Sequence, residues 1–124
     1  MSDSILTSTK KALGITEDYT AFDVDILMHI NSVFSTLHQL GIGPPGGFSI
    51  ADKSTTWSSL LGDDARLNAV KTYVYLRVRM IFDPPGTSYL INSMDQQAKE
   101  LEWRLNVARE LQDYEDPFEE ELEV

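Results

Sequence analysis

Along most of this chain apolar residues recur at steps of three and four, and the gaps between those runs hold glycine, proline or a capping side chain. The strongest run lies between Leu61-Gly62-Asp63-Asp64 and Phe82-Asp83-Pro84-Pro85-Gly86. Leu67, Val70, Tyr73, Val74 and Ile81 recur there at helical spacing, with further apolar residues at Leu76 and Val78. Arg66, Lys71, Arg77 and Arg79 are interleaved with them. Asp63 or Asp64 is expected to cap the first turn, and both carboxylates complement the positive end of the helix dipole. Pro84 pushes Asp83 out of the α region, and Pro85-Gly86 completes the break. A helix this apolar, flanked by amphipathic ones, is expected at the centre of an all-helical domain.

The other elements follow from the same pattern. Ser2 or Asp3 can cap a short first helix containing Ile5, Leu6, Ala12 and Leu13, with Gly14 at its C′ position and Lys10 and Lys11 near its negative end. Thr20 with Asp23 resembles a capping box that opens a second helix. Its apolar positions are Phe22, Ile26, Ile30, Val33, Phe34 and Leu37, and Gly41 ends it. A short helical turn is expected from Ser54 or Thr55, with Trp57, Leu60 and Leu61 as an apolar cluster and Trp57 as a core plug. Thr87 or Ser88 can cap a last helix reaching about Leu111, with a stripe of Leu90, Met94, Ala98, Leu101, Leu105 and Ala108. Glu100 and Arg104 stand i,i+4 in the favourable order. Trp103 falls off the stripe and hints at a second contact surface. The expected fold is all-α: a small bundle of about four helices over residues 1–112, followed by an extended acidic arm over 113–124.

Between the second helix and Trp57 the pattern stops. Gly41-Ile-Gly-Pro-Pro-Gly-Gly-Phe48 excludes regular structure, because prolines remove donors and glycines raise the entropy cost of order. With the residues up to Ser54 it forms a loop longer than most helix connections, which is either a functional loop or a plain surface excursion.

Charge then changes the picture. The 124 residues carry a net charge of −10, and Asp113 to Val124 holds seven acidic residues and no basic one, so the acidity belongs mainly to the tail. A chain this acidic lacks the basic footprint of nonspecific nucleic-acid binding. The absence of cysteine excludes a disulfide framework and thiolate metal sites. No basic-then-apolar leader and no apolar run approaching ~18 residues is present, so neither a signal peptide nor a membrane span is expected.

The search for catalytic chemistry comes back nearly empty. His29 and His38 are nine residues apart on one helix and point to opposite faces, so no shared metal is expected. Asp23 is better explained as a cap, as are Asp63 and Asp64. There is no G-x-S-x-G elbow, and the glycines at 41, 43, 46 and 47 are not followed by Gly-Lys-Ser/Thr. Neither an enzyme nor a cofactor is expected. Arg66 and Arg77, eleven residues apart, share a helix face; they either pair with neighbouring acids or form a basic inter-subunit face that receives an acidic segment of another copy.

Taken in order, several pieces carry a resemblance. These are the short helix, the long helix ending in glycine, the Gly/Pro loop leading into Phe48-Ser49-Ile50 and Thr56-Trp57, and Leu60-Leu61-Gly62-Asp63. The Val70–Arg79 helix, Phe82-Asp83-Pro84-Pro85 and Glu102-Trp103-Arg104-Leu105 follow. Over residues 5–111 the chain resembles the head–tail connector (adaptor, or head-completion) proteins of long-tailed bacteriophages. The resemblance implies a helical subunit, made in the host cytoplasm, that forms a ring beneath the portal at the virion neck. The ring, expected to be dodecameric, extends the DNA channel without binding DNA specifically and offers a platform to stopper or tail proteins. It also implies that the C-terminal segment docks on the portal, which here means Tyr114, Asp116, Pro117, Phe118, Leu122 and Val124. The loop residues Gly43, Pro44, Pro45, Gly46, Gly47 and Phe48 are expected to face either the channel or the next ring.

The arm's own residues fit such docking. Leu122 and Val124 flank Glu123, a spacing that lets the end add to a partner as an extended strand. Many identical arms around a ring would supply avidity. A solubilising tail without a partner is the plainer reading. The rival function is a monomeric helical adaptor or inhibitor whose acidic tail occupies a basic site on another protein. A helical transcription regulator fits worse, since only Arg66 and Arg77 are available to a recognition helix.

Overall fold

A computed structural model describes residues 4–62, 64 and 66–113. It contains five helices: α1 (Ile5–Ala12), α2 (Asp23–Gln39), α3 (Trp57–Leu61), α4 (Leu67–Phe82) and α5 (Ser88–Asp113). As expected, α4 is central; it packs against α1, α2 and α5, and α5 has α4 as its main helix neighbour. Phe22 at the start of α2 meets Phe82 at the end of α4, with ring centroids 5.3 Å apart, so these two helices run antiparallel.

Glycine ends the first two helices as the sequence predicts. Gly14 and Gly41 take φ of +83° and +81°. The following apolar residue then reaches back, Ile15 N–H to Lys10 O at 2.8 Å and Ile42 N–H to Leu37 O at 2.9 Å. Without a Cβ the left-handed turn carries no steric penalty, and the last carbonyls find donors.

The N-terminal caps differ from expectation, each for a tertiary reason. Ser4, not Ser2 or Asp3, caps α1: its Oγ accepts the Thr7 N–H at 3.2 Å. Ser4 is paired with Thr56, and the Ile5 N–H donates to Thr55 O at 3.0 Å, which holds the chain extended up to the cap. The Thr20–Asp23 capping box does not form, and α2 starts without a side-chain cap. The Asp23 carboxylate instead lies 2.8 Å from the Lys10 ammonium, which is 2% exposed and also donates to Glu17 O at 3.0 Å. A buried cation needs that counter-charge more than exposed first-turn amides need a cap. Likewise α4 begins at Leu67 without a side-chain cap. Asp64 accepts the Arg66 backbone N–H at 2.8 Å and holds the Arg66 guanidinium at 2.7–3.2 Å. Asp63 lies outside the described residues. The short helix starts at Trp57 rather than Ser54 or Thr55, while Thr87 does cap α5, accepting the Leu90 N–H at 3.3 Å.

The core is one cluster. Val70, Tyr73, Val74, Leu76 and Val78 of α4 are buried against Ile26, Ile30, Val33, Phe34 and Leu37 of α2 and against Ala98 and Leu105 of α5. Trp57 fills the space under α1 at 2% exposure. Its ring stands perpendicular to Phe34, its N–H donates to Ser8 Oγ at 2.7 Å, and the Lys71 ammonium lies 5.8 Å from its centroid. Three stripe positions are corrected: Phe22, which precedes α2, is 40% exposed, Ile81 54% and Leu90 48%. α5 has 26 residues against 16 in α4, about 39 Å against 24 Å, and the last two of these positions stand in the last turn of α4 and the first turn of α5.

Candidate interaction surfaces

The α4–α5 contact is locked by a polar chain. Arg77 Nη2 donates to Glu102 Oε1 at 2.9 Å, the Tyr73 hydroxyl donates to the same oxygen, and Arg77 Nη1 reaches Asp95 Oδ1 at 3.4 Å. Lys99 pairs with Asp95 at 2.9 Å. Burial, then the hydrogen bond to the Glu102 carboxylate, pushes the Tyr73 phenol up to about 12. Lys99, followed by Arg77, holds Asp95 below the ordinary carboxylate range. The Arg66 hydrogen bonds do the same for Asp64.

Arg66 and Arg77, grouped from the sequence as one basic face, are therefore both engaged inside their own chain, Arg66 at the entrance to α4 and Arg77 against α5. Arg79 closes the end of α4 by donating to Asp83 O at 2.7 Å. Glu100 and Arg104 form the expected pair at 2.6 Å.

The 41–54 loop is tied down at both ends. Ile42 and Ile50 are buried at 2% and 5% exposure, and Phe48 packs edge-on to Phe34 at 5.4 Å. The Asn31 side chain in α2 holds Ile50 through both of its polar groups: Nδ2 donates to Ile50 O at 2.9 Å, and the Ile50 N–H donates to Oδ1 at 2.8 Å. Gly47 N–H closes a turn on Pro44 O at 3.0 Å. A Cβ on Gly43, whose φ is +95°, would stand 3.1 Å from Leu60. Pro45 and Gly46 are left exposed at the tip. Asn31 was not visible in the sequence as a functional residue; an asparagine beside an apolar stripe, facing a Gly/Pro loop, is the only signal it offers.

Among the described residues no three His, Asp or Glu side chains gather to hold a metal ion. A depression of about 820 Å³, open on one side, is bordered by Thr7, Ser8, Lys11, Thr16 and Glu17. The Ser8 hydroxyl there donates to Ile5 O at 3.2 Å and accepts the Trp57 N–H at 2.7 Å.

What the described surface does offer is apolar. Tyr19, Phe22, Val24, Met28, Ile81, Tyr89, Leu90, Ile91 and Trp103 are exposed. Tyr19, Phe22, Ile81, Tyr89, Leu90 and Ile91 fall at one end of the bundle, where α2 begins, α4 stops and α5 begins, while Val24 and Met28 lie on the side of α2 away from its buried face. Tyr19, Phe22 and Phe82 form an edge-to-face series, with centroids 5.7 Å and 5.3 Å apart. Trp103, 65% exposed on α5, stands apart as a second surface. The arm residues Tyr114, Asp116, Pro117, Phe118, Leu122 and Val124 lie outside the described residues.

A family model described as phage connector protein matches residues 5–112. No curated protein and no solved structure matches the chain.

Proposed function

The chain belongs to the phage connector protein family, and from that premise we propose that it forms a ring beneath the portal, extends the DNA channel and carries the stopper or tail proteins. The family match over residues 5–112 is the observation that carries this reading. An all-helical body whose exposed surface offers apolar contacts rather than catalytic groups is what a structural ring subunit requires. Without the arm's seven acidic residues the body keeps 13 acidic against 10 basic, a mildly negative balance that suits a channel wall along which DNA slides without sticking.

In this reading the arm from Asp113 to Val124 reaches the portal, Tyr114, Phe118, Leu122 and Val124 supplying apolar contacts and the carboxylates facing outward. The tip at Pro45 and Gly46 faces the channel or the next ring, on a loop whose base Asn31 fixes. Arg66 and Arg77 would serve neighbouring copies only by sharing acids they already hold. The direct test is cosedimentation with purified portal rings. The whole chain is expected to sediment with them and a chain stopped after Asp113 to stay in solution; equal sedimentation of both removes the arm from the docking.

A further inference from the structure

Two features stand at opposite ends of α5. Its first turn carries the exposed Tyr89, Leu90 and Ile91 and follows closely on the end of α4, where Ile81 is exposed and Phe82 meets Phe22; its last residue, Asp113, carries the acidic arm. From Tyr89 to Asp113 the helix runs about 36 Å. Exposed aromatic and aliphatic side chains from three separate stretches of chain, gathered at one end, mark an interaction site rather than scattered surface residues.

We propose that this apolar end is the tail-side docking surface of the connector, and that it takes an apolar segment flanked by lysine or arginine from the next protein of the neck. The inference rests on the ring reading, in which the arm faces the portal, so that the end from which the arm does not leave faces the tail. Charge names the occupant. Asp18 next to Tyr19, Asp25 in the first turn of α2 and Asp83 next to Phe82 are exposed at this end, and Arg79, two residues before Ile81, already binds Asp83. An acidic rim repels the chain's own arm. That arm's eleven residues would also need full extension, roughly 36–40 Å, to come back this far. A second copy docking through the same patch would set rim against rim. Among the described residues Lys11, Lys53 and Lys71 are the lysines without a carboxylate partner, and none of them borders another exposed apolar cluster. A basic, apolar segment of a different protein fits; a copy of this chain does not.

The test uses phage that carry the variants. Ile81→Ser with Tyr89→Ser and Leu90→Ser removes exposed apolar groups only; Asp18→Lys with Asp25→Lys reverses the rim and leaves the apolar groups in place. Both proteins are expected to keep the parental circular dichroism and melting temperature. Both phage are expected to yield filled heads that carry portal and connector but no tail, with titre down at least about thirtyfold. Tailed particles at normal titre from either variant overturn the proposal. So do heads lacking the connector, which would turn this end toward the portal, and variants that lose a ring the parent forms under the same conditions, alone or on the portal, which would make the occupant a second copy. The chain stopped after Asp113 is run alongside. If its heads keep the connector, the portal role of the arm fails, and that failure is separate from any failure of the patch.

Discussion

Asn31 presents one amide to both backbone groups of Ile50, so replacing it with alanine leaves a buried N–H and C=O without partners. Asn31→Ala is expected to lower unfolding stability by about 1–3 kcal/mol in a urea titration and to loosen the loop between Gly41 and Ser54. Tyr73 makes a pH-dependent contribution. Its phenol titrates at about 12 in the fold against an ordinary value near 10, so its contribution is complete below pH 10 and is lost as pH rises through 12. Tyr73→Phe is expected to flatten that alkaline loss in thermal melts taken from pH 9 to 12. The acid side has the opposite sign: Asp64 and Asp95 are held low by Arg66 and Lys99, so their contribution is present above pH 4 and fades as pH falls further. Little of this was legible beforehand. Asp23 and Asp64 stand at capping positions, and what draws their carboxylates away is Lys10 on another helix and a guanidinium two residues on, partnerships that local spacing does not encode.

At the scale of elements, the helices were legible because their punctuation is local. Gly14, Gly41 and Pro84 end three of them through backbone sterics alone. Periodicity also found the buried face of α4, but not where its burial stops. Ile81, in the last turn of α4, and Leu90, in the first turn of α5, keep the rhythm of their stripes and still meet solvent. Truncation separates the two cases. Leu105→Ala, in the seam between α4 and α5, is expected to cost about 2–5 kcal/mol, whereas Ile81→Ser should stay within about 0.5 kcal/mol of the parent. Equal losses in denaturant midpoints would mean that the seam extends through the last turn of α4. Trp103 was visible as an off-stripe aromatic, and its exposure agrees with that reading.

For the whole molecule, the ordered sequence of elements carried the family, and the match over residues 5–112 places the chain in it. The apolar end was not legible, because its members come from residues 19–22, 81 and 89–91 and only the packing of α2 and α5 on α4 brings them to one end. Assembly is the claim on which the rest depends, and native mass spectrometry over a concentration series, alone and then with a portal ring, tests it most directly. The account predicts a closed oligomer of about twelve copies, or a monomer that the portal recruits in that number. A protein that stays monomeric at every concentration and ignores the portal would contradict it and would favour an acidic-tailed adaptor that binds a basic site elsewhere.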